Sequence, residues 1–314
     1  MKAKRVTGVA PASGSPAIRS WGLSLLKSGV RIVLGIVIGA TLFLVIFEKQ
    51  LIYFPAATVD VTPKALGLPF EEVLIDVEPG VRIHGWLIKA ANEPGAATIL
   101  FSHGNAGNIA DRLDRVLRLR DLSADFLLYD YRGYGKSTGD PDEEGTYRDG
   151  RAAYDYLVKA KQVDPGRIVL MGESLGCAIS VQLAIERKAA GLILEAPFAS
   201  VPHMAAAIYP FLPLGSFVRT RYDNLAKISH LKMPLLVVQG TMDEVIPFEQ
   251  GRMVFAEAPE PKRFLAIEGA HHNDVYLVGG EGYRRALSEF INRVVTPKPP
   301  TALVEARKSS TTTF

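Results

Sequence analysis

The chain has 314 residues, of which 48% are hydrophobic and 22% charged, proportions that are typical of a globular protein with a substantial core. This length suffices for one large α/β domain, or two small ones, with additional segments. The net charge of +3 is too close to neutral to indicate a nucleic-acid-binding protein. The single cysteine, Cys177, excludes an intrachain disulfide and is expected to be a small buried side chain.

The N-terminal part of the chain carries an apolar run without charge. Residues 1–28 are basic and rich in Ser, Gly, Pro and Ala, without a helical period, so a flexible segment is expected there. Residues 32–47 contain no charged side chain, and their neighbours extend the run towards the about 20 residues that a membrane-spanning helix needs. We therefore predict a transmembrane signal anchor at residues 29–48, followed by a linker at residues 49–69.

The charges around the apolar run predict its orientation. The first 47 residues contain six Lys or Arg, and Glu48 is the first acidic residue. By the positive-inside rule the N-terminus is expected in the cytoplasm, and the rest of the chain on the periplasmic or lumenal side. A cleaved signal peptide is one alternative, but it has a shorter apolar core and a cleavage site of small residues. A buried core helix is the other, but the run lies outside the strand–helix pattern that follows.

From residue 70 onwards strand and helix patterns alternate, which favours a mostly parallel sheet covered by helices on both faces. Residues 73–75 and 83–88 are predicted to open this sheet as an antiparallel pair. Residues 198–233 interrupt the alternation and are expected to form a small apolar cap. The α/β domain is therefore predicted at residues 70–295. Residues 296–314, with three prolines and a Ser/Thr-rich end, are predicted to be a disordered tail.

The sequence Gly172-Glu173-Ser174-Leu175-Gly176 stands between a short apolar run and a helix-prone segment. In this strand–turn–helix context, G-x-S-x-G indicates a nucleophile elbow, in which a strained turn lifts the serine hydroxyl above the sheet. A glycine-flanked serine in an ordinary tight turn is the alternative interpretation. The backbone N–H of Leu175, at the start of the helix, is expected to point to where an oxyanion would form.

A catalytic serine needs a base within hydrogen-bond reach and an acid that orients the base. In this topology both follow later strands, in the chain order Ser, then Asp or Glu, then His. Asp243 follows a predicted strand and is the expected acid, and His271 and His272 follow the next strand. Spacing alone does not choose between the two histidines. Glu195 is a rival acid at the end of another strand, although Pro197 and the apolar residues beyond it favour the start of the cap.

The loop that begins at His103 is expected to complete the oxyanion site. It follows the strand expected beside the serine strand, and Gly104 permits a close backbone approach. The backbone N–H of Asn105 is therefore the second predicted donor beside Leu175, and the loss of one such donor costs about 3 kcal/mol. His103 is expected to brace the loop. No set of His, Cys, Asp and Glu has metal-ligand spacing, so neither a metal nor another cofactor is expected.

Five motifs together resemble those of a known family. They are residues 103–108 (HGNAGN), 130–137 (DYRGYGKS), 172–176 (GESLG), 243–247 (DEVIP) and 272–274 (HND). Residues 70–295 resemble the α/β-hydrolase fold, and the motifs are similar to those of membrane-associated abhydrolase-domain serine hydrolases, a group that includes protein depalmitoylases. They are also similar to bacterial hydrolases labelled serine-aminopeptidase-like.

This resemblance implies the identity of the base. The group carries its catalytic histidine immediately before Asn-Asp, which corresponds to His272. The sequence differs from the cytosolic depalmitoylases, which are anchored through a cysteine-rich N-terminus, because residues 1–50 contain no cysteine.

These predictions describe a membrane-anchored serine hydrolase that cleaves carboxylic ester, thioester or acyl-lipid bonds through Ser174, His272 and Asp243. The apolar cap favours an acyl ester or lipid as the substrate, although the same side chains would serve as the core of the cap itself. The alternatives are a serine peptidase of the aminopeptidase-like kind, a transferase, and a non-catalytic membrane-tethered binding protein on a hydrolase fold. An intact nucleophile, base, acid and oxyanion loop argue against the last.

Overall fold

The computed structural model describes residues 16–91 and 95–295. The chain divides into two compact units, the first ending at Phe47 and the second beginning at Glu48. Two predicted segments, the first part of the flexible N-terminus at residues 1–15 and the tail at residues 296–314, lie outside the described residues.

The helices and strands of the described residues follow the alternation that the sequence predicts from residue 70 onwards. They are, in chain order, α1 (Pro16–Ile46), α2 (Glu48–Ile52), β1 (Phe54–Pro55), β2 (Phe70–Glu78), β3 (Val81–Ile88), β4 (Ala97–Ser102), β5 (Ala106–Gly107), α3 (Leu113–Leu119), β6 (Ala124–Tyr129), α4 (Glu143–Asp155), β7 (Ile168–Glu173), α5 (Leu175–Glu186), β8 (Gly191–Glu195), α6 (Val201–Ile208), α7 (Asn224–Ile228), β9 (Leu235–Gly240), α8 (Phe248–Glu257), β10 (Lys262–Ile267), α9 (Val275–Val278) and α10 (Gly280–Val295).

The first unit contains helix α1, which has 31 residues. Its part Leu26–Ile46 has 21 residues and contains an 18-residue window with a mean hydropathy of 2.5, so by length and composition it is a candidate membrane span. A signal sequence near the N-terminus passes the same test. The helix begins at Pro16, so residues 16–28, which the sequence analysis expected to be flexible, are helical. Proline is favoured in the first turn of a helix, and no later proline interrupts this one.

The predicted linker at residues 49–69 is folded against the second unit. Helix α2 is followed by β1, which pairs in parallel with β5, and Tyr53 between them is buried. The hydroxyl of Tyr53 lies 2.8 Å from that of Tyr222. These contacts join residues that are far apart in the sequence. The local composition of residues 49–69, which predicts a linker, therefore gives no sign of them.

Eight strands form the main sheet of the second unit. Their order is β10-β9-β8-β7-β4-β6-β3-β2. The pairs β2–β3 and β3–β6 are antiparallel and the others parallel, which confirms the mostly parallel sheet and its antiparallel opening. Every residue of β4, β7, β8 and β9 is buried, as expected for parallel strands with both faces covered, because such strands are continuous apolar runs.

The hydrophobic core lies on both faces of this sheet. In β8, Leu192 and Leu194 belong to one cluster, which includes side chains of α4 and α5. Ile193, between them, belongs to the other cluster, with side chains of α3 and α10. Alternate residues of a strand point to opposite faces, so one strand contributes to both layers. Burial of each such side chain stabilises the fold by roughly 1.5–3 kcal/mol.

The parallel strands β4, β7, β8, β9 and β10 all end at the same edge of the sheet, which we call the carboxyl edge. The segment predicted as a cap follows β8 at this edge. Helix α6 has no buried residue, whereas Ile228 of α7 is buried in the core. We call residues 201–218 the lobe, in which Val201 and Met204 pack against the core, Leu214 is buried and most other side chains are exposed or half-buried. The backbone N–H of Val201 donates to the carbonyl of Arg221 at 2.9 Å, which closes the base of the lobe.

Candidate active site

Ser174 occupies a strained turn between β7 and α5. Its backbone φ of 52° and ψ of −117° lie in a region that residues other than glycine rarely adopt. The flanking glycines are required by close backbone contacts. A Cβ atom on Gly172 would lie 2.4 Å from the carbonyl oxygen of Gly176, and one on Gly176 would lie 2.0 Å from that of Ser102. The G-x-S-x-G sequence therefore forms a tight strand–turn–helix packed against the end of β4.

The imidazole of His272 lies between Ser174 and Asp243. Its Nε2 is 3.1 Å from the Oγ of Ser174, and its Nδ1 is 2.9 and 3.0 Å from the two carboxylate oxygens of Asp243. Asp243 follows β9 and His272 follows β10, so the carboxyl edge brings together three residues that are distant in the sequence. With the proton on Nδ1, the ring donates to Asp243 and accepts from the serine hydroxyl through Nε2.

Asp243 is itself held in place by the turn that follows it. Its Oδ1 accepts hydrogen bonds from the backbone N–H groups of Val245 at 3.0 Å and Ile246 at 2.8 Å. The carboxylate is fully buried, and these donors and the imidazole satisfy its lone pairs. A carboxylate fixed in this way holds one tautomer and one orientation of the histidine.

The structure separates the two histidines that spacing alone could not distinguish. The Nδ1 of His271 lies 3.0 Å from the carboxylate of Glu244, and its side chain is 55% exposed. The backbone N–H of His271 donates to Asp274. His272, by contrast, is buried against Ser174.

Glu195, the rival acid, has other partners. Its Oε1 lies 2.8 Å from Nη1 of Arg115, and its Oε2 accepts a hydrogen bond from the hydroxyl of Tyr283 at 2.7 Å. Both ring nitrogens of His272 are occupied by Ser174 and Asp243, so Glu195 does not orient the imidazole.

A buried group of charges near Ser174 was not found by the sequence analysis. Arg115 lies 3.0 Å from Glu173 and 2.8 Å from Glu195, and Arg112 lies 3.2 Å from Glu173. Burial alone would raise the pKa of Glu173, but the two arginines lower it to about 2. Burial raises the pKa of Glu195 despite Arg115. The spacing of these residues along the chain gives no sign of the group. They meet only in the folded sheet, whose register pairs Glu173 with Glu195.

These carboxylates also influence the pKa of His272. Burial of the imidazole lowers its pKa, but the hydrogen bond and charge of Asp243, together with the charges of Glu173 and Glu195, outweigh burial. The pKa of His272 is therefore raised above its ordinary value. A raised pKa makes the neutral ring a stronger acceptor for the proton of a neighbouring hydroxyl.

The two predicted oxyanion donors belong to the helix that follows Ser174 and to the loop that packs against this serine. Leu175 opens helix α5, where a backbone N–H has no acceptor within the helix. Asn105 follows Gly104, at which a Cβ atom would lie 3.5 Å from the Cβ of Ser174. The side-chain amide of Asn105 donates to the carbonyl of Ile52 at 2.8 Å. The loop is thus held against both the serine turn and the segment that begins the second unit.

His103 lies under this loop and is fully buried. Its Nδ1 is 2.7 Å from the carbonyl oxygen of Gly104, its ring packs on that of Tyr131 with centroids 4.3 Å apart, and its Nε2 lies 3.5 Å from Asp130. Burial lowers the pKa of His103, so the ring is neutral and donates from Nδ1. These contacts are those of a side chain that supports the loop.

Two further sequence expectations concern a thiol and a metal. Cys177 is buried, which confirms the expected small buried side chain, and burial raises its pKa well above the ordinary value. Among residues 16–91 and 95–295, no group of three or more His, Cys, Asp or Glu side chains is arranged to hold a metal ion.

Comparison with known proteins identifies the class to which this fold and site belong. The model of the alpha/beta hydrolase family matches residues 99–251. The chain is also 34% identical over 288 residues to the alpha/beta hydrolase domain-containing protein WAV2 of Arabidopsis thaliana, covering 84% of this chain and 94% of WAV2. The chain therefore belongs to the alpha/beta hydrolase family.

Two other proteins show how far this similarity extends. Protein Rv2307c of Mycobacterium tuberculosis is 34% identical over 262 residues, covering 83% of this chain and 93% of the relative. The solved structure of the Pyrococcus furiosus esterase Pf2001 superposes with a TM-score of 0.64 at 21% identity, covering 78% of this chain and 98% of the esterase. At that identity the superposition shows a shared fold.

Proposed function

We propose that this protein is a serine hydrolase that cleaves carboxylic ester, thioester or acyl-lipid bonds. The observation that supports this proposal most directly is the continuous contact from Ser174 through His272 to Asp243. The strained turn at Ser174 adds to it, because strain of this kind is characteristic of functional sites.

In the proposed mechanism, the Oγ of Ser174 attacks the acyl carbonyl while Nε2 of His272 takes its proton. Asp243 holds the imidazole in its tautomer and offsets the charge that it gains. The N–H groups of Leu175 and Asn105 stabilise the oxyanion of the tetrahedral intermediate. The leaving alcohol or thiol receives the proton from His272, and water, activated by the same base, then releases the acid from the acyl-enzyme.

The first experiment tests the nucleophile. We expect Ser174→Ala to abolish both labelling by a fluorophosphonate probe and hydrolysis of p-nitrophenyl esters. Ser180→Ala is the matched control, because Ser180 lies buried on α5, which follows Ser174, and its hydroxyl has no hydrogen-bond partner among the described residues. Full labelling of the Ser174→Ala variant would refute the assignment.

The second experiment tests the substrate class. The lobe at the carboxyl edge is rich in apolar side chains, and this composition favours an acyl group as the part of the substrate that is bound. We expect kcat/KM to rise with the chain length of p-nitrophenyl esters and to exceed that for aminoacyl amides. Faster turnover of the amides would favour a peptidase.

We further propose that the apolar part of α1, which overlaps the anchor predicted at residues 29–48, holds the protein in a membrane, with the N-terminus in the cytoplasm and residues 70–295 on the other side. The excess of Lys and Arg before the helix supports this orientation. Because Cys177 is buried, a Lys188→Cys variant carries one accessible thiol. A membrane-impermeant maleimide should label it in intact spheroplasts, and labelling only in inverted vesicles would overturn the orientation.

A further inference from the structure

The large apolar side chains exposed on the second unit are concentrated at the carboxyl edge. In the lobe, Phe211 is 93% exposed, Ile208 58% and Phe217 56%. Four more lie near Asp243 and His272 in the sequence, two in the loop after β9 and two in α9. These are Met242, Val245, Leu277 and Val278. An apolar surface of this kind marks a site of interaction with a protein or a membrane.

The segment that follows the apolar helix is attached to the base of the lobe. Glu48 is buried, and its carboxylate accepts hydrogen bonds from the backbone N–H of Arg219 at 2.9 Å and from the N–H and hydroxyl of Thr220 at 3.1 and 2.9 Å. Only Phe47 separates Glu48 from the end of α1. Because consecutive Cα atoms are about 3.8 Å apart, a helix anchored in a bilayer holds Glu48, and with it the base of the lobe, close to the bilayer surface.

The same segment continues along the carboxyl edge. The backbone N–H of Phe54 donates to the carbonyl of Asn105 at 2.9 Å, in the loop beside Ser174. The side chains of Leu51 and Phe54 are 44% and 50% exposed. The chain therefore stays next to the catalytic residues for its first few residues after the helix.

The charges of the lobe and of the segment after the helix suit an anionic phospholipid, whereas the loops after β9 and β10 expose the acidic side chains of Glu244 and Glu268. Residues 201–222 contain no Asp or Glu, and Arg219 and Arg221 at their end are exposed. Lys49, next to Glu48, is exposed as well. Exposed apolar side chains bordered by basic residues are the composition with which proteins bind the interface of an anionic bilayer.

We infer that the carboxyl edge lies against the bilayer that holds the helix, with Ile208, Phe211 and Phe217 of the lobe in contact with lipid. This inference rests on the proposed membrane anchor and extends the proposed function, because an active site in this position receives its acyl substrate from the bilayer. The substrate class is then a membrane lipid or another acylated molecule whose acyl chain lies in the membrane.

The experiment measures contact between the lobe and lipid in the full chain. Phe211→Cys and Ile208→Cys variants are labelled with the fluorophore NBD, and Cys177 is buried and unlabelled. The proteins are reconstituted into vesicles of phosphatidylethanolamine and phosphatidylglycerol, with or without phosphatidylcholine that carries a nitroxide on its acyl chain. We expect the nitroxide lipid to quench NBD emission at both positions, because interfacial side chains lie roughly 5–10 Å deep at the headgroup boundary.

Lys159→Cys is the matched control, because its side chain is 74% exposed and precedes β7 at the opposite end of the strands. Quenching at residues 208 and 211 equal to that at residue 159 would overturn the inference. Flotation of the vesicles tests the anchor separately. Flotation with the lipid but no quenching in the lobe would support the anchor and contradict the inference. A protein that does not float would contradict both. Thermal unfolding of each variant verifies that it is folded.

Discussion

Three carboxylates raise the pKa of His272, and they do so in two different ways. Asp243 contacts the imidazole directly, whereas Glu173 and Glu195 act through their charge. The sequence predicted the direct contacts, because a nucleophile, an acid and a base each follow a recognisable strand. It did not predict the charges, because Arg112 and Arg115 meet Glu173 and Glu195 only after the sheet has formed.

Replacement of the acid should have a large effect on the rate. In Asp243→Asn the imidazole loses the partner that selects its tautomer, so we expect kcat for ester hydrolysis to fall by about 10⁴-fold, as in other hydrolases with this triad. The control is Glu249→Gln, because Glu249 is exposed on α8 and lies 3.9 Å from Arg252. A similar loss in both variants, or little loss in Asp243→Asn, would contradict the assignment.

The pH dependence of the reaction should report the buried charge of Glu195. The base acts as the neutral imidazole, so kcat/KM rises as pH increases through the pKa of His272. That pKa is raised, and Glu195 contributes to the increase. In Glu195→Gln the negative charge is removed, and the acidic limb of the profile should move to lower pH.

Glu186→Gln is the comparison for this experiment, since Glu186 pairs with Arg151 at the surface. An acidic limb that stays in place in Glu195→Gln, or that moves equally in both variants, would show that the charge of Glu195 does not act on His272.

At the scale of whole elements, the strands were the most predictable part of the fold. Each central strand is a short apolar run next to glycine or a polar loop, and burial on both faces requires that composition. Helix α1 begins before the predicted anchor, and residues 49–69 are folded against the second unit; neither feature was predicted from the sequence. The contacts of Tyr53 with Tyr222 and of Glu48 with Thr220 join residues that are separated in the sequence by most of the hydrolase domain. A local sequence pattern does not predict contacts between residues that far apart.

The attachment of the lobe should depend on Glu48. Its carboxylate accepts from the half-buried N–H of Arg219 and from the buried N–H and hydroxyl of Thr220. Glu48→Ala leaves these donors without this partner, at a cost of about 1–3 kcal/mol for each fully buried group. We expect faster amide hydrogen exchange at Arg219 and Thr220 in the full chain in detergent micelles.

Lys49→Ala provides the control for this measurement. Lys49 is exposed and lies 3.9 Å from Asp142, and exposed pairs contribute only about 0–1 kcal/mol. Unchanged exchange at residues 219 and 220 in Glu48→Ala would mean that the contact does not hold the base of the lobe.

At the scale of the whole molecule, a single edge of the sheet carries the catalytic residues, the exposed apolar side chains and the segment that follows the helix. An anchored enzyme with this arrangement meets a lipid substrate at a high effective concentration when both share one membrane. We expect the full chain to hydrolyse a fluorogenic ester lipid rapidly when enzyme and lipid are in the same vesicles, and slowly when they are in separate vesicles.

A short water-soluble ester provides the control, because its turnover should be equal in both arrangements. Equal rates for the ester lipid in shared and separate vesicles would show that the enzyme does not draw its substrate from its own membrane.

The pairing of β1 with β5 has a consequence for any shortened form of the protein. A version cut at residue 70, where the sequence places the domain boundary, lacks Glu48, Tyr53 and the strand that braces the Asn105 loop. A protease that cuts between residues 48 and 69 would separate α1 from the rest of the chain and would therefore also weaken the site. We expect a shortened form to keep full activity only if it begins no later than Glu48.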